Sequence, residues 1–436
     1  MRTPEQFLRD HDMFYEQMPF EELIGRYLDE MEAGLNGRPS SLYMIPSYIR
    51  ADSEPARGQS VLVIDAGGTN LRAGRVHFDS KSQSVVETLK KRYMPGAGGE
   101  HITADEMFRR IAEFALEAAE GCSRACVSFS YPCQNRPDGD GMILELGKEL
   151  QVEGAEGRLV CASLEAALKE LGAAGSRSWR LTNDSVGSLL GGKAAAPRGR
   201  FRDFIGFILG TGTNMCCAVP SASIAKDPEA AAMGGEMIVN LESGCFDKLL
   251  LGTVDRELDA ESEIPGDHLA EKMISGSYYR QVLERTLLLA AREGELSPET
   301  GEKLRALRVT SALVDSFCLD PHGNNALSQA FLGERERTFA AGVNMALLER
   351  AARVAAAGLA AVIRYRALPR GSRVCVSADG TMLRLNPVLR PAMERYLAEY
   401  ALEGMGVETE FLFASDATLM GSAWAGRSPV QCRRSR

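Results

Sequence analysis

The chain lacks any long apolar segment. No stretch of its 436 residues approaches the roughly 20 uninterrupted apolar residues that a membrane-spanning helix needs. The N-terminal region carries Arg2, Glu5, Arg9 and Asp10 and has none of the apolar core of a signal peptide. These absences predict a cytoplasmic protein that has no membrane partner.

An excess of positive charge is also lacking. The net charge is −9, so a general affinity for nucleic acid is not expected. The short basic tail of Arg433, Arg434 and Arg436 is interpreted as a solvated end rather than a binding arm. With 45% hydrophobic and 25% charged residues, the composition is that of an ordinary soluble chain of two or three domains.

Paired cysteine motifs and a true P-loop are missing as well. Cys122-x-x-x-Cys126 and the adjacent Cys216 and Cys217 have no second pair at zinc-site spacing, which predicts reduced, buried thiols. Residues 187–193 fit the spacing G-x-x-x-x-G-K, but Ala194 stands where a P-loop has Ser or Thr. The segment is also patterned as a short helix, and a P-loop is therefore rejected.

What the chain does have is a polar, glycine-rich turn after an apolar strand. The run 61–64 is followed by Asp65-Ala66-Gly67-Gly68-Thr69-Asn70. Glycines and small hydrogen-bonding side chains let backbone N–H groups approach a polyphosphate, and the acid can hold a metal directly or through water. The alternative is an ordinary Gly-Gly hairpin turn, because residues 71–78 are patterned as a second strand.

A second element of the same type favours the functional interpretation. The apolar run 205–209 leads into Gly210-Thr211-Gly212-Thr213-Asn214 and then into a further strand at 214–219. Two such turns predict two phosphate-binding hairpins that face one nucleotide.

Strands and helices alternate along most of the chain. Residues 1–50 show helical patterning and are followed by a loop through Gly58. The pattern then predicts one α/β unit, and after residue 204 a second, larger one. The predicted strands are 61–66, 71–78, 84–93, 124–130, 179–182, 204–209, 214–219, 237–241, 373–377 and 408–413, and the predicted helices are 104–120, 158–171, 266–294 and 338–366.

Asp184 ends a strand and precedes a short helical segment. It is interpreted either as a helix N-cap, which Asp favours, or as a general base at the carboxyl end of a sheet strand, where open α/β folds place ligands. Position alone leaves both open. Ser130, Lys148, Glu242 and Glu271 would each be unremarkable alone.

Taken together, these segments resemble the hexokinase family of ATP-dependent sugar kinases. The resemblance runs in order from about residue 42 to 424. Its motifs are Leu42–Ile49 ("LPTYV"), Asp65–Arg72 ("DLGGTNFR"), Phe129–Gln134 ("FSFP..Q"), Asn183–Gly187 ("NDTVG"), Gly210–Asn214 ("GTGTN"), Val239–Phe246 ("VN.EWGAF"), Glu271–Tyr278 ("EK.ISG.Y") and Val376–Thr381 ("V.VDGS").

The resemblance implies a role for each matching residue. Asp184 is implied as the base that takes the proton of the sugar 6-hydroxyl, and Lys148 as the cation that neutralises the transferring phosphoryl group. The implied sugar-binding residues are Ser130, Asn183, Asp184, Asn214, Glu242 and Glu271, whose side chains suit a polyhydroxyl ligand. Those implied at ATP are Asp65, Gly67, Gly68, Thr69, Asn70, Arg72, Thr211, Gly212 and Thr213, with Asp65 near Mg²⁺.

The implied fold is a two-domain, actin-like (ribonuclease H-like) ATPase fold with mixed sheets, flanking helices and an active site in the interdomain cleft. The small α/β domain is expected over 58–190, with the C-terminal helix near 416–430 as an addition to it, and the large one over 1–57 and 191–415. The implied reaction is phosphorylation of a hexose, with glucose favoured, by MgATP at the 6-hydroxyl, giving hexose 6-phosphate for glycolysis.

Two departures from the family pattern keep alternatives open. Gly147 stands where the family's "WTKGF" has a sugar-contacting Thr, which leaves fructose, mannose or an amino sugar as other substrates. Residues 415–423 replace the glycine-rich "EDGSGKGAA" near the adenosine. A further alternative is a sugar-sensing, actin-like protein that kept the fold and lost turnover.

Overall fold

Two mixed sheets, with helices around and between them, make up the fold. The computed structural model describes residues 2–53, 60–67, 70–78, 84–146 and 150–428. Gly68, Thr69, Gly147 and Lys148, on which sequence predictions rest, lie outside these described residues.

The elements are numbered along the chain. The strands are β1 (Ile45–Arg50), β2 (Val61–Ala66), β3 (Asn70–Phe78), β4 (Ser84–Tyr93), β5 (His101–Thr103), β6 (Arg124–Phe129), β7 (Cys133–Asn135), β8 (Gly141–Ile143), β9 (Gln151–Glu153), β10 (Ser178–Thr182), β11 (Asp203–Leu209), β12 (Thr213–Pro220), β13 (Glu236–Asn240), β14 (Arg373–Asp379) and β15 (Glu408–Leu412). The helices are α1 (Pro4–Asp10), α2 (Phe20–Leu35), α3 (Ala104–Ala119), α4 (Val160–Glu170), α5 (Asp184–Ala195), α6 (Pro228–Ala231), α7 (Thr253–Ala260), α8 (Leu269–Ile274), α9 (Gly276–Arg292), α10 (Pro298–Ala306), α11 (Ser311–Leu319), α12 (Ala326–Ala330), α13 (Gly333–Arg366), α14 (Thr381–Leu385), α15 (Leu389–Leu397) and α16 (Ala417–Arg427). Short 3-10 turns cover Tyr15–Gln17, Ser221–Ser223 and Ser243–Cys245, and a π-helical segment covers Ala398–Met405.

Both large sheets share one strand order. The five-stranded sheet runs β10-β6-β2-β3-β4. Read in the same direction, the six-stranded sheet runs β15-β14-β11-β12-β13-β1. In the first sheet, β2 pairs antiparallel with β3 and parallel with β6. In the second sheet, β11 pairs antiparallel with β12 and parallel with β14. A hairpin followed by helical crossovers to parallel strands therefore occurs twice. This confirms the prediction of two units of one kind, and β1 is an added edge strand.

Two expectations about secondary structure are wrong. Residues 45–50, expected within a helical lead-in, form β1, which pairs antiparallel with β13. The helix expected over 266–294 is divided at Ser275, where φ is −79° and ψ is 158°. Gly276 N donates to Gly210 O at 2.7 Å, and a Cβ on Gly276 would lie 2.7 Å from that oxygen. The break brings the chain onto the turn after β11, which a continuous helix would not reach.

The glycines of the rejected P-loop segment serve helix packing. The segment lies in α5, which packs on β11 and β14, while α16 packs on β2 and β6. A Cβ on Gly191 would lie 2.0 Å from Ala417 O, and one on Gly421 would lie 1.8 Å from Gly187 O. Only residues without a Cβ allow this approach. The crossing of α5 and α16 therefore joins the two sheets.

The long helix α13, which is rich in alanine, is a core element. α13 buries Ala351, Ala355 and Gly358, among others, against its neighbours α2 and α15. All described cysteines are free thiols, and all but Cys318 are buried, which also agrees with the sequence. Among the helices that the structure describes, none has both the length and the apolar character needed to cross a membrane.

Candidate active site

The carboxyl ends of three parallel strands meet at one edge of the five-stranded sheet. Ser128 of β6 lies opposite Asp65 of β2 and opposite Thr182 of β10. The residues that follow these strands, including Ser130 and Asp184, are therefore neighbours. Ligands of open α/β sheets bind at such carboxyl edges.

The two turns predicted to bind phosphate are both hairpins. Gly67 N donates to Asn70 O at 3.0 Å between β2 and β3, and Gly210 N donates to Gly212 O at 2.9 Å between β11 and β12. The hairpin alternative and the phosphate-loop prediction thus describe the same turns. Thr211 is exposed at the tip of the second turn.

Asp184 is the first residue of α5 and lies within the cleft, partly open to solvent. Asn183, rather than Asp184, is the N-cap, since its side chain accepts from Ser185 N at 2.9 Å. The capping alternative for Asp184 is therefore wrong. Desolvation raises the pKa of Asp184 to about 6, a hydrogen bond from Ser130 opposes this, and the charge of Asp65 adds to it.

Asn214 links the two sides of the cleft. Its Nδ2 lies 3.3 Å from Asn183 Oδ1 and 3.3 Å from Glu242 Oε2. Its Oδ1 accepts from Met215 N at 2.7 Å and from Ser243 N at 3.2 Å. With both ends of the amide engaged, the orientation of Asn214 is fixed, and α5 is tied to β12 at this point.

Glu242 has a strained backbone at the edge of this network. Its φ of 54° and ψ of 52° lie in the left-handed region, which non-glycine residues adopt uncommonly. Its Oε1 accepts from Asn240 Nδ2 at 2.7 Å. Desolvation raises the pKa of Glu242 to about 7, the Asn240 hydrogen bond opposes this, and the charges of Asp184 and Glu271 add to it.

Glu271, in the first turn of α8, is held against the hairpin between β11 and β12. Thr213 N donates to Glu271 Oε2 at 3.0 Å, and a Cβ on Gly212 would lie 2.5 Å from the same oxygen. Gly212 therefore leaves the room that Glu271 needs. The Thr213 hydroxyl donates to Ile208 O at 3.0 Å, so both donors of Thr213 are engaged within the protein.

Asp65 differs from these acids because it is paired with a cation. Arg72 lies opposite it on β3, and its Nε and Nη2 are 2.8 Å and 2.6 Å from Asp65 Oδ2. Nη1 of Arg72 reaches Asp416 Oδ1 at 3.0 Å. Desolvation raises the pKa of Asp65, and the charge of Arg72 opposes this. The guanidinium of Arg72, which the family resemblance places at the phosphates, therefore binds two carboxylates of the protein itself.

Sequence reasoning missed three residues of this site: Asn240, Asp379 and Asp416. Asp379 ends β14, and its charge raises the pKa of both Asp65 and Asp184. The signal that could have found Asp379 is the repeat itself. Asp379 ends β14, which pairs parallel with β11. In the same way, the 128–130 segment ends β6, which pairs parallel with β2.

The structure brings most predicted residues into one cleft. The linked polar residues are Ser130, Asn183, Asp184, Asn214, Glu242 and Glu271. Within the described part of the chain, no cation is among the groups that set the pKa of Asp184 or Glu242. Such carboxylates suit a ligand with many hydroxyls, whereas the Asp65–Arg72 pair suits phosphate or a divalent cation.

Known proteins resemble this chain along nearly its whole length. A family model described as hexokinase matches residues 204–427, and a second model with the same description matches residues 5–194. Hexokinase-1 of Schizosaccharomyces pombe is 28% identical over 422 residues, covering 91% of this chain and 85% of the relative. Hexokinase-3 of Mus musculus is 28% identical over 99% of this chain, which spans 47% of that relative's length. A solved hexokinase from Schistosoma mansoni complexed with glucose has a TM-score of 0.81 at 21% identity, over 98% of this chain and 100% of that one.

Proposed function

This chain belongs to the hexokinase family and is an ATP-dependent sugar kinase, and we propose that it transfers the γ-phosphate of MgATP to the 6-hydroxyl of glucose. The product, a hexose 6-phosphate, would enter glycolysis. The sugar bound in the Schistosoma mansoni hexokinase supports the choice of glucose.

The observation that carries the proposal is the setting of Asp184. Its carboxylate lies beside the Ser130 hydroxyl, and the adjacent Asn183 is linked through Asn214 to Glu242. Desolvation brings its pKa to about 6, so at neutral pH the group is ionised yet more basic than an ordinary aspartate. Asp184 accepts the proton of the sugar 6-hydroxyl as that oxygen attacks the γ-phosphate.

The polar network beside Asp184 is the proposed sugar site. Asn183 offers its Nδ2 as a donor, and Glu242 and Glu271 accept from sugar hydroxyls. Asn214, whose amide already contacts Asn183 and Glu242, holds these two side chains toward the sugar. Glu242 and Glu271 are neighbouring anions and repel each other. Hydroxyl donors from a sugar therefore stabilise both carboxylates. Ser130 contributes its hydroxyl from the opposite side of the cleft.

The phosphate side of the cleft carries the carboxylates of Asp65 and Asp379. Oxygen donors of this kind fit Mg²⁺, and a divalent cation would relieve their mutual repulsion, which adds to desolvation in raising the pKa of Asp65. When bound with ATP, Mg²⁺ neutralises charge on the phosphate oxygens. The two hairpin turns, with Thr211 and Gly212 in the second, are the proposed phosphate contacts, and Lys148 keeps its implied role at the transferring group.

The proposed domain division follows the two sheets. The small domain comprises residues 58–190 with the C-terminal helix near 416–430, and the large domain comprises 1–57 and 191–415. α16 packs on β2 and β6, which supports its inclusion in the small domain, although the 190 boundary falls within α5. Since Ser130 and Glu242 lie on different sheets, sugar is expected to close the cleft. Small-angle scattering should show a smaller radius of gyration with saturating glucose, and an unchanged radius with binding verified would contradict closure.

A coupled assay of ADP release with a panel of hexoses tests the function. Glucose is expected to give the highest kcat/KM, and Asp184→Asn should abolish most of the turnover with every sugar. A higher value for fructose, mannose or an amino sugar would replace glucose as the substrate and would point to Gly147. Sugar binding without ADP release from any hexose would favour the sugar-sensing alternative.

A further inference from the structure

Three side chains of metal-binding type converge beside the proposed sugar site. Cys245, Asp267 and His268 each offer one ligand atom, and these atoms all lie within 4.8 Å of one another. Cys245 is 4% exposed, and the side chains of His268 and Asp267 are 20% and 39% exposed. A thiol sulfur, an imidazole nitrogen and a carboxylate oxygen are the ligand types that Zn²⁺ takes in proteins.

The backbone holds the cluster in place. Cys245 ends the 3-10 turn that starts after Glu242, and its N donates to Glu242 O at 3.0 Å. Ala270 N donates to Phe246 O at 3.1 Å, which fastens this turn to the start of α8. His268 precedes α8 in a left-handed conformation, with φ of 52°. The three ligand atoms therefore come from two segments that are already fixed to each other.

His268 Nδ1 lacks a well-directed partner. It lies 3.1 Å from Asp267 Oδ1, yet among the described residues it forms no hydrogen bond although the atom is buried. The same Asp267 oxygen accepts from His268 N at 2.7 Å. A buried ring nitrogen that has only a poorly directed contact needs an explanation. A cation shared with the adjacent carboxylate and thiol supplies one.

The local field favours a cation. The carboxylates of Glu242, Asp267 and Glu271 all place negative charge near Cys245. A divalent ion lowers the energy of these anions, and its charge allows the thiol to lose its proton to solvent as the metal–sulfur bond forms.

We propose that Cys245, Asp267 and His268 bind a divalent cation of zinc type, with three protein ligands and a fourth position open to water. Glu242 lies three residues before Cys245, and Glu271 three residues after His268. A bound ion places positive charge near both carboxylates, whose charges act at Cys245, and so weakens them as acceptors of sugar hydroxyls. Occupancy of the metal site therefore raises the KM for hexose. This effect on KM rests on the proposed function, but the binding of the ion itself does not.

Calorimetry with Zn²⁺ alone, on the full chain freed of metal by a chelator, tests the site. We expect one Zn²⁺ per chain with proton release, and a thiolate-to-metal absorption band when Co²⁺ replaces Zn²⁺. Losing an outer-sphere partner weakens metal binding by about 10- to 100-fold, so Cys245→Ala and His268→Gln should each weaken it by at least about 100-fold. Cys122→Ala, at another buried thiol, and His322→Gln, at a half-exposed histidine, serve as matched controls and should bind as the wild type does.

A wild type that binds no Zn²⁺, or folded Cys245→Ala and His268→Gln variants that both bind it unchanged, would overturn the site. Hexose kinetics at constant MgATP then test the coupling: Zn²⁺ should raise the hexose KM of the wild type and leave that of Cys245→Ala unchanged. Zn²⁺ binding by a chain that phosphorylates no hexose would refute the proposed function and leave the metal site standing. Binding with an unchanged KM would refute the coupling.

Discussion

The carboxylates of the cleft fall into two groups that differ in their partners. Asp65 receives two nitrogens of Arg72, at 2.8 Å and 2.6 Å, on one oxygen. Asp184 and Glu242 are hydrogen-bonded to hydroxyl, amide and backbone groups, and in the described part of the chain no cation sets their pKa values.

The contrast shows how one type of side chain serves two tasks. Pairing with Arg72 opposes the effect of desolvation on Asp65 and keeps it suited to a role as a fixed anion. Where no cation among the described residues offsets it, desolvation raises the pKa values of Asp184 and Glu242 to about 6 and about 7. A carboxylate whose pKa lies near the working pH is an effective proton acceptor. The carboxylates with no cation among their described neighbours are therefore assigned to the sugar, and the carboxylate paired with Arg72 is assigned to the phosphates.

The largest effect is expected from Asp184→Asn, which keeps the shape of the side chain and removes the base. A positioned base contributes about 10²- to 10⁴-fold, so turnover should fall by at least about 10²-fold, with a smaller change in the KM for hexose. Steady-state kinetics on the purified variant measure this. Asp138→Asn, at an exposed acid paired with Arg136, is the control and should retain normal turnover. A folded Asp184→Asn enzyme with near-normal turnover would remove Asp184 from this role.

The next effect is expected from Glu242→Gln, which replaces a charged acceptor by a neutral amide. A hydrogen bond to a charged group is worth about 1.5–3 kcal/mol, which corresponds to roughly a 10- to 150-fold rise in the KM for hexose. The effect on kcat should be smaller, because the interaction exists before the chemical step. Glu299→Gln, at an exposed glutamate of α10, is the matched control. An unchanged hexose KM would show that Glu242 does not face the sugar.

A smaller effect is expected on the paired side, from Arg72→Lys. Lysine keeps the charge and loses the planar fork that contacts Asp65 and Asp416 together. Losing about 1–2 kcal/mol of charge-assisted hydrogen bonding should raise the KM for MgATP by roughly 5- to 30-fold. The KM for hexose should stay near its wild-type value. A rise in the hexose KM instead would mean that the two groups of carboxylates do not act separately.

Local sequence patterns were enough to predict the strands that carry the site. Asp65, Ser130 and Asp184 follow apolar strands, and parallel strands place their carboxyl ends at one edge. The repeat of a strand and a polar turn predicted the second unit, and the family resemblance then assigned Glu242 and Glu271, which no local pattern singles out.

Features that depend on distant contacts were not predictable in this way. The break between α8 and α9 depends on Gly276 meeting Gly210, 66 residues earlier in the chain. The place of Asp379 depends on the pairing of β14 with β11, and the engagement of Arg72 depends on Asp416 at the far end of the chain. Periodicity within a short window carries no information about such contacts.

The pH dependence of hexose kcat/KM shows whether Asp184 is the base, because it reports the ionisation of groups in the free enzyme. Asp184 must be deprotonated to accept a proton, and its pKa is raised to about 6, while that of Glu242 is raised to about 7. Activity should therefore fall as the pH is lowered through this range, with apparent pKa values between about 6 and 7 that belong to the coupled pair. The part of the pH profile that titrates near pH 6 should be missing from the residual activity of Asp184→Asn. A wild-type profile that stays flat down to about pH 5, as an ordinary aspartate with a pKa near 3.9 would give, would contradict the account.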